Sequence, residues 1–237
     1  MSNRLIPVFV TLAAIGFAVA LWFIFFEAPL QYANTADGRL DANSLFFNHR
    51  IFYFHVAHAF MLFIAVFVAG ISSALFLKTR KAKWDELASS ATEVAVAFGL
   101  VVLVTGSIWA KAAWDVWWNT EPRLTMSLLL WLILVGCTLV RKFAGPSADR
   151  IAAGMAIFGM VGVPFIYTMV GQDSHPPSGA DGVVANLGTS YKLAFWLSVA
   201  AFLFWFIALV LVRLQSTRAE RELRELRERG LDLGVLS

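Results

Sequence analysis

The chain has almost no sulfur chemistry. Among its 237 residues there is one cysteine, Cys137, set inside an apolar run. A C-x-x-C thiol oxidoreductase centre is therefore excluded, and no C-x-x-C-H is present to hold haem through paired thioethers. No G-x-x-x-x-G-K-[ST] occurs, so the chain is not by itself an ATPase subunit. Charge is scarce too: Asp, Glu, Lys and Arg make up 15% of the residues, against 59% hydrophobic. No inverted repeat of broken helices is evident, which weakens a secondary-transporter reading.

What is present is apolar length. Six runs, at 5–26, 51–77, 87–108, 124–140, 151–170 and 191–212, are close to the roughly 20 residues that a helix needs to cross hydrocarbon. A helix also satisfies its own backbone hydrogen bonds there, as lipid demands. The joining loops are short, so the runs form one polytopic bundle. The expected fold is all-α: a six-transmembrane-helix membrane domain over 1–212, then a charged cytoplasmic tail helix over 213–237. Within that tail, residues 218–229 alternate Arg and Glu, the pattern of a solvated helix with intrahelical ion pairs. Ala18-Val19-Ala20 resembles a signal-peptide cleavage site. The apolar stretch nevertheless continues through Phe26, so the first run reads as an uncleaved helix.

Basic residues orient the bundle. The N-terminus, the loops from Lys78 and from Arg141, and the tail carry fourteen Lys and Arg. The opposite segments carry five: Arg39, Arg50, Lys111, Arg123 and Lys192. Lys and Arg gather on the cytoplasmic side, so both termini are expected to be cytoplasmic. The loops 27–50, 109–123 and 171–190 then face outward. The net charge of +3 reflects this topology and gives no reason to invoke nucleic acid.

All four histidines fall on the outer side. His49 lies in the first outer loop, His55 and His58 about one and two turns into the second helix, and His175 in the third outer loop. Between them come Trp109, Trp114, Trp117 and Trp118. Trp favours the membrane–water boundary. So dense a set at one boundary suggests a flat aromatic platform for a flat apolar ligand. Imidazole nitrogen binds haem iron. Two axial ligands must approach one iron from opposite faces. His55 and His58, three apart on one helical face, cannot easily straddle a porphyrin. The better pair joins one histidine of the second helix to one from another loop. His175 is the only candidate outside the first loop and second helix. Trp117 and Trp118 could then stack on the macrocycle or line its edge. Arg50, Lys111 and Arg123 are the outer cations available to its propionates.

Ordinary roles compete with these. His49 and His58 also read as hydrogen-bonded polar residues near a helix end, and the Trp cluster as an interfacial anchor. Residues 173–179 read as a turn-rich loop. Glu93, about one turn inside the cytoplasmic end of the third helix, reads as a structural carboxylate that snorkels or pairs within the bundle.

Two stretches carry a family resemblance. Residues 103–111, L-V-T-G-S-I-W-A-K, and 114–125, W-D-V-W-W-N-T-E-P-R-L-T, resemble the tryptophan-rich signature of the haem-handling proteins of cytochrome c maturation, above all its haem exporter protein C group. Arg50-Ile51-x-Tyr53-x-His55-Val56 resembles the family segment that carries the first haem-ligand histidine, and His175 matches the second by position. The match covers about residues 45–212. It implies a non-covalent haem b with His55 and His175 as axial ligands, and Trp114, Trp117, Trp118 and Arg123 around it. It implies a multi-pass protein of the bacterial cytoplasmic (inner) membrane that holds haem on the outer, periplasmic side. Such a protein passes haem to a membrane-anchored haem chaperone, which is delivery rather than catalysis. The implied partners also include ATP-binding transporter subunits and a small single-helix subunit. Three positions depart from the family pattern: Asp115 stands for its Gly, Thr120 for a Trp, and Glu121 for its Asp. Two other readings remain: a membrane b-type cytochrome or quinone oxidoreductase subunit with resident haem, and a small-solute permease. Against the first, no histidine lies deep in the membrane; against the second, polar residues near the midplane are sparse.

Overall fold

The computed structural model describes residues 4–28, 46–168, 184–185 and 187–233, apart from the side chains of 46–49, 113, 146 and 167. The first helix, α1 (Leu5–Trp22), widens into a π-helical turn, Phe23–Glu27. Then follow α2 (Phe46–Thr79), α3 (Ala82–Trp114), α4 (Pro122–Phe143), a 3-10 turn at Gly145–Ser147, α5 (Ala148–Thr168) and α6 (Thr189–Asp232). Among the described residues six helices are long and apolar enough to cross a membrane, and no strand occurs. The expected all-α, six-span bundle is the architecture found.

Local chemistry sets the helix ends. Between α2 and α3 only Arg80 and Lys81 intervene. Arg80 adopts a left-handed backbone (φ 56°), and its N–H closes on the Phe76 carbonyl at 2.7 Å. So tight a reversal makes α2 and α3 antiparallel neighbours. Pro122 opens α4 in the first turn, where its missing N–H costs no hydrogen bond and its fixed φ suits a helix. Gly145, at φ 71°, supplies the bend into α5.

Several helices run beyond the apolar stretches that announce them. α3 begins at Ala82 and reaches Trp114, and α2 begins at Phe46, inside the expected outer loop. α6 continues through Arg213 to Asp232 as a single 44-residue helix. Polar residues end an apolar run without ending the backbone hydrogen bonding that defines a helix.

The core lies between α2, α3, α4, α5 and α6. Met61, Leu62, Val66, Phe98, Phe202 and Phe206 form its buried cluster. Small buried residues, Ala57, Ala65 and Ala69 on α2 and Ala88, Ala91 and Ala95 on α3, let these two helices approach closely. On α4, Trp131 lies over Gly99 of α3, where an added Cβ would meet the indole at 2.6 Å. The same indole donates to the Val96 carbonyl at 3.0 Å. α1 rests chiefly on α6. There Gly16 comes against Ala201, and Phe17 meets Phe202 edge-on with ring centroids 4.8 Å apart. The opposite face of α1 exposes Ile15 and Trp22, and the π-helical turn exposes Phe26, as suits a surface that lipid covers.

Candidate functional site

One pole of the bundle brings together the first turns of α2, the end of α3 and the start of α4. Here the His55 ring of α2 sits against α3. Its Nδ1 is 2.9 Å from the Thr105 hydroxyl, which in turn donates to the Val101 carbonyl at 2.6 Å. Trp109 meets the imidazole edge-on, with centroids 5.5 Å apart and planes at 85°. Gly106 leaves room for the ring: a Cβ at that position would lie 3.1 Å from His55 Cε1. Three residues of α3 thus seat one imidazole. Behind them Phe52 packs edge-on to Trp109 and against Phe195, which joins the seat to α6.

His58, one turn deeper, has different surroundings. Its Nδ1 donates to the Phe54 carbonyl at 2.8 Å. Its ring packs against Phe202 at 4.2 Å and Phe98 at 5.3 Å between centroids. This histidine is satisfied by its own helix and embedded among core aromatics.

The tryptophans of the loop divide by exposure. Trp114 closes α3 and is half-buried, as is Trp118, while Trp117 stands out with 63% of its surface exposed. Arg123 lies half-buried in the first turn of α4. Two further cations of this pole, Arg50 and Lys111, also make contacts within the protein. Arg50 hydrogen-bonds the Ile24 carbonyl and lies over the Phe25 ring, 4.5 Å from its centroid. Lys111 is clasped to Asp115 at 2.5 Å. The hydrogen bond from Lys111, and then its charge, hold the Asp115 carboxyl below the usual aspartate range.

Asp115 also caps α3 in a left-handed conformation (φ 57°), its N–H bonded to the Lys111 carbonyl at 3.1 Å. That backbone explains the Gly of the family pattern, since Gly adopts positive φ without steric cost. Asp is among the few other residues that tolerate it. His175 lies outside the described residues, as does the side chain of His49. The structure therefore describes one of the two expected iron ligands.

The opposite pole is ionic. Glu93 of α3 takes a two-pronged grip from Arg213 of α6, and Arg213 also reaches Glu220 at 2.7 Å. Glu86 receives Arg218 at 3.0 Å and Arg221 at 2.5 Å, and Arg141 of α4 meets Asp85 at 2.7 Å. A cleft of about 850 Å³ opens there, bordered by Asp85, Glu93, Arg141, Arg213, Glu220 and Arg224. Along α3, Thr105 is 19 residues from Glu86 and 12 from Glu93, roughly 28 Å and 18 Å of helix.

A family model described as "Heme exporter protein C" matches residues 1–229. The chain belongs to that family. Similar proteins include a putative cytochrome c biosynthesis ccmC-like mitochondrial protein of Marchantia polymorpha, 31% identical over 159 residues, which covers 66% of this chain and 68% of that one. A heme exporter protein C of Bradyrhizobium diazoefficiens is 29% identical over 185 residues, covering 75% of this chain and 69% of its own. A heme exporter protein C of Rhodobacter capsulatus is 27% identical over 243 residues, covering 96% and 92%.

For a member of the heme exporter protein C family, the residues missed by sequence reading are informative. Thr105 and Gly106 lie inside the quoted T-G-S-I-W stretch, just before the singled-out Trp109, yet only the fold brings them to His55. A signal was available: residues 105 and 109 are four apart and so share a helical face. Glu86, with its two arginines, carried no such signal.

Proposed function

We propose that this family member binds haem at the pole of His55 and the tryptophan loop and passes it on for cytochrome c maturation. The observation that carries the reading is the seat of His55, built by Thr105, Gly106 and Trp109 on the helix that leads into the tryptophan loop. In this reading a non-covalent haem b takes nitrogen ligands from His55 and His175 on its two faces. Trp114, Trp117 and Trp118 supply flat apolar contact, and Arg123 a cation for a propionate. An exposed Trp117 leaves one edge of the site open to an acceptor. No bond of a substrate is made or broken, so the role is delivery rather than catalysis.

The partition of basic residues supports placing this pole on the periplasmic side of a bacterial inner membrane, with both termini cytoplasmic. The acceptor is then a membrane-anchored haem chaperone. ATP-binding transporter subunits and a small single-helix subunit complete the assembly. A resident b-type cytochrome is disfavoured by one observation. Among the described residues every helical histidine lies on α2, so no two facing helices offer an iron-ligand pair.

The test is haemin titration of the detergent-purified protein, followed by its absorption spectrum. His55→Ala and His175→Ala are each expected to shift the Soret band and to loosen haem. An unchanged spectrum with full retention in both variants would remove the assignment. His58→Ala is expected to leave the Soret band in place.

A further inference from the structure

We infer that Thr105 is a positioning residue that selects which ring nitrogen of His55 carries the proton, so that Nε2 presents its lone pair to iron. The inference rests on the reading of His55 as a haem ligand. A Thr hydroxyl has one proton and two lone pairs. The proton of Thr105 is directed to the Val101 carbonyl at 2.6 Å, with the Val102 carbonyl more distant at 3.3 Å. With its proton on Val101, the hydroxyl meets His55 as an acceptor. At 2.9 Å the imidazole Nδ1 must be the donor. In a neutral ring the other nitrogen, Nε2, then bears the lone pair. The opposite tautomer would set a lone pair on Nδ1 against a lone pair on Oγ1, or pull the hydroxyl off Val101.

A Thr that bonds back to the i−4 carbonyl often does nothing else in a helix. Here its remaining lone pair is aimed across the α2–α3 interface at an aromatic nitrogen. Contact with Gly106 and Trp109 fixes the ring's orientation around that bond. His58 shows the contrast: its Nδ1 proton goes to its own backbone, so that bond ties it to no other helix. Partners that orient a ligand histidine typically change metal affinity by roughly 10–100-fold when removed.

The test uses the full chain in detergent, labelled with ¹⁵N-histidine. The His55 signals are assigned by their loss in His55→Ala. Without haem, wild type and Thr105→Ser are expected to show a protonated Nδ1 and an unprotonated Nε2 on His55. Thr105→Val, nearly the same shape without the hydroxyl, is expected to lose that preference. Haemin affinity should fall by roughly 10–100-fold in Thr105→Val and recover in Thr105→Ser. A His55 protonated on Nε2 in wild type overturns the inference, and this measurement needs no variant of Thr105 to fold. A Thr105→Val protein that keeps the wild-type tautomer and affinity overturns it as well. If His55→Ala binds haemin with an unchanged Soret band, the ligand reading itself fails and the role of Thr105 toward iron falls with it. If only the ¹⁵N pattern disagrees, Thr105 alone is wrongly assigned.

Discussion

The guanidinium of Arg213 grips both carboxylate oxygens of Glu93, Nε to Oε2 at 2.5 Å and Nη2 to Oε1 at 2.9 Å. These residues are 120 apart in sequence and join α3 to α6. Both side chains are about a third exposed, so the pair is neither fully screened nor fully desolvated. A double-mutant cycle with Glu93→Gln and Arg213→Gln is expected to give a coupling of roughly 1–2 kcal/mol, between exposed and buried pairs. Thermal unfolding in detergent measures it. Neither variant should change the haem spectrum, because the pair lies at the far pole.

The orientation of the bundle is open to cysteine labelling. Native Cys137 is fully buried and should give a silent background. In intact cells, Thr120→Cys should react with a membrane-impermeant thiol reagent and Lys81→Cys should not. Reaction at Lys81→Cys would invert the topology.

Gly106→Ala places a methyl group 3.1 Å from His55 Cε1. That is tight enough to turn the ring while leaving the helix intact. Haemin affinity is expected to drop about tenfold, in the lower range for misoriented ligands, with the melting temperature little changed. Equal affinity for wild type and Gly106→Ala would show that the ring moves freely.

Asp115 separates a backbone effect from a charge effect. Asp115→Gly should keep or raise stability, whereas Asp115→Val should lower it, because a branched residue tolerates positive φ less well than Asp. The clasp to Lys111 depresses the carboxyl, so it is complete above the ordinary aspartate value of about 3.9 and is lost as pH falls through the depressed one. In ¹³C-aspartate titrations the Asp115 midpoint should lie below that value and return toward it in Lys111→Ala. An identical midpoint in the two proteins would mean that the contact does not persist in solution.

The six spans were legible because hydrocarbon imposes one pattern, length without charge, that any sequence must display. Their ends were not. α3 starts at Ala82 and stops at Trp114, beyond the apolar run on both sides, since Lys83, Asp85 and Lys111 are as helical as their neighbours. The candidate site, as proposed, was half legible. His55 and the tryptophans stood out by residue type, but Thr105 in a lipid-depth helix looks like any other small polar residue. Its meaning lies in a partner 50 positions away, and no local pattern records which helices become neighbours. The same holds for Glu86, whose two arginines are 132 and 135 residues distant.

The first helix leans on the last, and this has a consequence for synthesis. α1 has α6 as its main neighbour, through Gly16 against Ala201 and Phe17 against Phe202. Between Glu27 and Thr189 the ribosome must add more than half of the chain. At roughly 5–20 residues per second, α1 waits about 8–30 s for its partner to be made. During that interval lipid is its principal solvent. A chain that terminates before α6 would therefore leave α1 as a lone span, and the quality-control machinery of the membrane would meet it as an orphan helix rather than a misfolded bundle.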